Sequence, residues 1–99
     1  MHARTGSTEV ASDRLDEMVS TFEREQIPRY RERDGYKGFT LLVNRHSGRV
    51  IGVSFWENEE ARQASEELGA GARESIRQSG GGQAQIVRED WEVALDDMV

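Results

Sequence analysis

The sequence predicts an α+β domain in which one antiparallel sheet carries two helices on the same face. Three observations predict it. Within residues 35–58, two β-rich runs flank the turn Arg45-His46-Ser47-Gly48-Arg49 and so read as a hairpin. A stretch with apolar residues every three or four positions precedes that hairpin, and another comes after it. A strand-compatible run stands near each end of the chain.

Residues 2–10 are the weakest of these strands. Thr5, Thr8 and Val10 suit a strand, whereas Arg4, Gly6 and Ser7 do not help. Ser12 or Asp13 can cap the first helix. Leu15, Met18, Val19 and Phe22 then fall at i, i+3, i+4 and i+7, one helical face. Pro28 removes a donor and disfavours helix at Ile27. The helix either ends near Ile27 or kinks and resumes through Tyr30 to Arg33, and the helix-forming run 29–33 favours resumption. Asp34-Gly35 closes it.

In the hairpin, Gly48 can take the left-handed conformation that closes a three-residue loop. Pairing around Ser47 sets Val43 against Ile51, Leu41 against Val53 and Phe39 against Phe55, one apolar ladder. The other face then carries Leu42 with Gly52, Thr40 with Ser54, and Gly38 with Trp56. Beyond Trp56, Asn58 is an N-cap, and Glu59 and Glu60 suit a helix N-terminus. Ala61, Ala64, Leu68, Ala72 and Ile76 form a stripe of mostly small residues that allows close packing, with a bend expected at Gly69 and Gly71. Residues 79–82 read as a loop, and residues 83–95 as the last strand, with Val87, Trp91, Val93 and Leu95 on one face.

The order β-α-β-β-α-β over residues 1–99 is a single ferredoxin-like sandwich. Two helices cover only one sheet face. The uncovered face would carry either the Trp56 side or the ladder Phe39, Leu41, Val43, Ile51, Val53 and Phe55. An exposed ladder of that size is a partner surface, so a homodimer with two sheets closed on each other is expected.

Composition excludes several function classes. A 99-residue chain of net charge −6 is a poor binder of nucleic acid or anionic membrane. The absence of cysteine excludes disulfides, thiol chemistry and Cys-based metal sites. No apolar run approaches the ~20 residues of a membrane span, and the N-terminal residues show no export h-region. A soluble cytoplasmic protein is the expectation. His46 reads as a solvated turn residue and His2 as a mobile terminal one, too far apart for a metal site.

Several residues are candidates for a site. Trp56 reads equally as packing above Gly38 and as a pocket wall. Thr40, Gly52 and Ser54 on its expected face leave room for a small aromatic ligand between sheet and helices. Arg4 is an odd residue for the centre of a sheet. It can face an anionic substrate or pair with Asp90 or Glu92, and the ion pair is the favoured reading. Tyr36 and Tyr30 are proton donors in principle and packing residues by default.

The segment RVIGVSFWENEEARQASEE (residues 49–67) resembles the strand–Trp–acidic–helix segment of antibiotic-biosynthesis monooxygenase-like domains of the dimeric α/β-barrel superfamily. The opening MHAR, the helix start SDRLDE, the approach DGYKGF and the closing DWEVAL are also similar. The resemblance implies a dimeric α/β barrel and monooxygenase-type activity on aromatic or polyketide-like substrates without a cofactor. A haem-degrading monooxygenase is the less favoured implication. Haem-degrading members use an Asn on the first strand, a Trp ending the third and a His on the second helix. Trp56 matches, but the first strand offers Ser7 or Thr8, and residues 58–78 contain no His, Glu66 and Glu67 standing near its expected place. Stoichiometric haem binding is therefore not expected. A non-catalytic dimeric ligand-binding or stress-related module is the other reading, and a side-chain-filled core would favour it.

Overall fold

The computed structural model describes residues 1–79 and 86–98. Strand β1 (His2–Glu9) leads through a single 3-10 turn (Ser12–Arg14) into helix α1 (Leu15–Glu25) and the short α2 (Ile27–Arg31). The hairpin strands β2 (Tyr36–Val43) and β3 (Arg49–Trp56) come next. Helices α3 (Glu59–Ala64) and α4 (Glu66–Ser79) then lead to β4 (Val87–Glu92). The sheet order is β2-β3-β1-β4, and every neighbouring pair is antiparallel. This is the expected α+β ferredoxin-like sandwich, with the helices on one face.

The local signals explain the elements. The helix resumes after a one-residue break at Gln26, with Pro28 in the first turn of α2, where its missing N–H costs nothing. Asn58 caps α3, its side-chain oxygen accepting from the Ala61 N–H at 2.9 Å. The bend expected at Gly69 and Gly71 lies instead at Ser65, between α3 and α4. There the Ser65 hydroxyl donates to the Arg62 carbonyl at 2.5 Å and competes with the helical ladder. Both glycines stay helical and serve close packing. A Cβ on Gly71 would stand 3.0 Å from the Arg29 guanidinium. The predicted start of the last strand, residues 83–85, and the loop residues 80–82 lie outside the described residues. His2 is a paired residue of β1, not a loose terminus.

The hairpin register is one residue away from the expected one. Val43 pairs with Val50, Leu42 with Ile51, Leu41 with Gly52, Thr40 with Val53, Phe39 with Ser54 and Gly38 with Phe55. The cause is the loop. Asn44 accepts from the backbone N–H groups of His46 and Ser47 at 3.0 and 3.1 Å, an Asx turn that lengthens the loop to residues 45–48. An irregularity between Tyr36 and Gly38 then brings Tyr36 opposite Trp56, so Tyr36 and Phe39 share a face.

The expected six-residue apolar ladder therefore divides. Phe39, Leu41 and Val43 turn to the helices, with Val50, Gly52, Ser54 and Trp56. Ile51, Val53 and Phe55 lie on the helix-free face, with Thr40, Leu42 and Gly38, and with Val87 and Trp91 of β4. Gly48 does adopt the left-handed conformation, at φ 79°. Its carbonyl accepts from Val10 N–H at 2.9 Å, and a Cβ there would run into the Val10 carbonyl oxygen. Gly48→Ala is expected to cost on the order of 1–3 kcal/mol from the backbone conformation alone. Urea denaturation would check it, and a loss under about 0.5 kcal/mol would show that the loop re-forms without this docking.

Candidate functional site

The helix-facing side of β1 is polar where a core strand is normally apolar. Register alternation places Arg4, Gly6 and Thr8 there, beside Ser54, Gly52 and Val50 of β3 and opposite Asp90 and Arg88 of β4. Small residues on the strands and on α4 leave a gap between sheet and helices, a cleft of about 50 Å³. Its floor and far wall are Phe22, Tyr30, Phe39 and Ile76, and its near wall is Arg4, Arg73 and Arg88. Among the described residues no Asp or Glu lines it, although the chain as a whole is acidic.

Arg4 is 8% exposed and held from several sides. Its Nε donates to Asp90 at 3.0 Å and its Nη1 to Ser65 Oγ at 3.3 Å, with Glu66 at 3.1 Å. Of the two acids the sequence offers Arg4, Asp90 and Glu92, the ion pair is with Asp90, and Arg62 adds to it at 2.5 Å on the other Asp90 oxygen. Burial pushes the Asp90 carboxyl up, but hydrogen bonds and charge from Arg62 and Arg4 outweigh it and hold Asp90 below the usual carboxylate range. Glu66 lies lower too, chiefly through its hydrogen bond from Arg88, against a smaller burial effect and with the charges of Arg4, Arg88 and Arg73 adding. Both carboxylates therefore add stability above their unfolded pKa, and it is lost as the pH falls through their folded values.

Burial pushes the Tyr30 hydroxyl up to about 12, against the opposing charges of Arg4 and Arg73. At neutral pH Tyr30 is a phenol that can donate, not a phenolate base. Gly69 belongs to the same construction, because a Cβ there would stand 3.2 Å from Arg73 Nη1 and 3.6 Å from Arg4 Nη1.

Of the residues expected at a pocket, Arg4, Gly52 and Ser54 line this cleft. Gly38 and Thr40 do not, because the register change puts them on the helix-free face. The gap over Gly52 is occupied by the Phe39 ring, whose Cζ would be 3.1 Å from a Cβ at that glycine. Tyr36 borders a separate open hollow of about 250 Å³ between β2 and helices α1 and α2. Trp56 is fully buried beside the cleft rather than on its wall. Its ring packs on Tyr30 and Tyr36, with centroids 6.1 and 5.7 Å away, and its Nε1 donates to Ser54 Oγ at 2.8 Å.

Arg73, Arg88 and Gly69 are lining residues that sequence reasoning missed, and Tyr30 joins them where packing was the default reading. His46 sits in the exposed hairpin loop, and no group of His, Asp and Glu suited to a metal ion occurs among the described residues. No helix among them is long and apolar enough to cross a membrane.

Solved structures align over nearly the whole chain. A haem-degrading protein, MhuD of Mycobacterium tuberculosis, solved with two haems bound in its active site, is 24% identical, with a TM-score of 0.70, covering 99% of this chain and 100% of that one. A monooxygenase from the ActVA-Orf6 gene of Streptomyces coelicolor, solved with nanaomycin D, is 16% identical at a TM-score of 0.69, covering 98% and 92%. SnoaB, a cofactor-independent oxygenase of Streptomyces nogalater, is 16% identical at 0.68, covering 96% and 94%. The chain has the antibiotic-biosynthesis monooxygenase-like fold.

No family model matches the sequence. Two uncharacterised proteins of Mycobacterium tuberculosis, Rv2558 and Rv2557, are 35% and 33% identical over 96% and 95% of this chain. The chain spans about two-fifths of the length of these relatives, 39% and 41%. Within the monooxygenase-like fold, the haem-binding example sets a test for this cleft. Helices α3 and α4 carry no His, Cys, Met, Tyr or Lys. The one phenol on the wall, Tyr30, is held protonated by burial. These residues do not fit an axially ligated haem.

Proposed function

We propose that this chain is a homodimeric small-molecule oxygenase of the cofactor-independent kind, which takes an aromatic or polyketide-like substrate in the Arg4–Tyr30 cleft. The observation that carries this reading is a cationic wall facing an aromatic floor in an otherwise acidic protein. A partly buried cation lowers the pKa of a nearby phenol or activated CH2 group, because the resulting anion is stabilised where water is scarce. Such a substrate anion can itself reduce oxygen. One oxygen atom becomes the new C=O. The other leaves as water with the two hydrogens of the oxidised CH2. Arg4 would hold the anion, Tyr30 would donate a hydrogen bond to it, and Phe22 and Phe39 would exclude water. The helix-free face, with Leu42, Ile51, Val53, Phe55, Val87 and Trp91, is the surface on which a second copy would close.

One observation favours a second reading. At about 50 Å³, the cleft holds a water or two rather than a ring system, and this supports a non-catalytic dimeric ligand-binding or stress-related module. An oxygen electrode separates the two. With an anthrone-type substrate such as dithranol, the oxygenase reading expects protein-dependent uptake of one O2 per quinone formed. Saturable binding with no uptake above the protein-free rate would leave the binding module. Haem titration is expected to give no saturating one-to-one Soret shift.

A further inference from the structure

Four arginines, Arg4, Arg62, Arg73 and Arg88, converge on two carboxylates, Glu66 and Asp90. The two carboxylates are not equivalent. Asp90, at 46%, is about as exposed as Glu66, but each of its oxygens is held by a buried guanidinium, Arg4 and Arg62 being 8% and 9% exposed, and that ties it to the frame. Glu66 is 49% exposed and stands outside the cleft lining. It reaches Arg4 at 3.1 Å and Arg73 at 3.6 Å, and it pairs with Arg88. Arg73 and Arg88 are themselves 28% and 39% exposed. The inner cation is thus rigid, while the two outer cations and their counterion have room to move. A half-exposed carboxylate shared among three guanidiniums occupies the position that a ligand's anionic group would take.

We propose that the cleft selects aromatic ligands bearing an anionic oxygen group, a carboxylate or a phenolate. Glu66 is the internal counterion that such a ligand displaces from Arg73 and Arg88. The proposal rests on the reading of this cleft as a ligand site, and it adds the ligand class and a specificity residue. Displacement also bears on the small volume of the cleft. When the outer arginines turn to follow an incoming anion, the mouth widens while Arg4, tied to Asp90 and Ser65, keeps the inner anchor in place. Gly69 leaves room for the Arg4 and Arg73 guanidiniums against α4, since a Cβ there would crowd Arg73 Nη1 at 3.2 Å and touch Arg4 Nη1 at 3.6 Å.

The test compares 3-hydroxy-2-naphthoate with 2-naphthol by titration calorimetry near neutral pH, on the unaltered protein, on Glu66→Gln and on Arg73→Gln. The naphthoate is an anion there and the naphthol is neutral. The expected result is a preference for the naphthoate of about tenfold, the usual size of one charge-assisted contact. Glu66→Gln should tighten naphthoate binding several-fold by removing the competitor, Arg73→Gln should weaken it, and naphthol should be indifferent to both. Thermal melting of each variant establishes that it is folded. If both compounds bind alike and Glu66→Gln leaves naphthoate unchanged or weaker, the anion selectivity is wrong while the aromatic cleft survives. If neither compound binds, the cleft is not a ligand site and the proposal falls with that reading.

Discussion

Trp56→Ala should cost about 3–5 kcal/mol of stability, the range for a fully buried aromatic. The indole has no exposed surface, touches Tyr30 and Tyr36, and satisfies its N–H on Ser54 Oγ at 2.8 Å. The truncation removes a fully buried member of the aromatic cluster centred on Tyr30 and leaves a void that its neighbours fill only in part. Trp56→Phe keeps most of that packing and loses the bond to Ser54, so it should cost less, with about 0.5–1.5 kcal/mol coming from the lost hydrogen bond. Urea unfolding followed through the remaining indole, Trp91, measures both variants. A ligand in the proposed site would meet Tyr30 and Ser54, which line the cleft, rather than the indole, so its affinity should fall only as far as those neighbours shift. A Trp56→Ala protein of nearly normal stability that has lost ligand binding would contradict the buried placement and restore Trp56 as a pocket wall.

Val53→Asp should dissociate the proposed homodimer. Val53 lies near the middle of the helix-free face, opposite Thr40 on one side and Thr5 on the other. Leu42 and Trp91 on that face are 53% and 47% exposed in a single chain, a pattern suited to a covered surface. A carboxylate sealed there without a partner should cost on the order of 4 kcal/mol, roughly a thousandfold in the dimer Kd. Light scattering on the unaltered protein and on the variant checks both halves of the expectation. An unaltered protein that is monomeric at micromolar concentration would remove the interface argument. A folded Val53→Asp protein that is still dimeric would move the interface to another face.

The sequence by itself determined the element order, and from it the ferredoxin-like sandwich. Those signals are local: the 3.6-residue spacing of Leu15, Met18 and Phe22, the Asn58 cap, the left-handed glycine at position 48 and the alternation in β3. It also carried an ion pair for Arg4 with an acid of the last strand, because a cation at the centre of a sheet requires a partner, while the strand register chose Asp90 over Glu92. Tertiary structure decided the rest. The Asn44 turn lengthened the hairpin loop by one residue, and since side chains alternate with a period of two, that single residue moved Phe39, Leu41 and Val43 to the helices and Thr40 and Gly38 away from them. Only the pairing of β4 with β1 and the approach of α4 to the sheet set Arg88 and Arg73 on the same cleft as Arg4, from about seventy to eighty-five positions away in the chain. No local pattern encodes such a meeting, because it depends on the angle and depth at which one helix, thinned by Gly69, lies against the sheet.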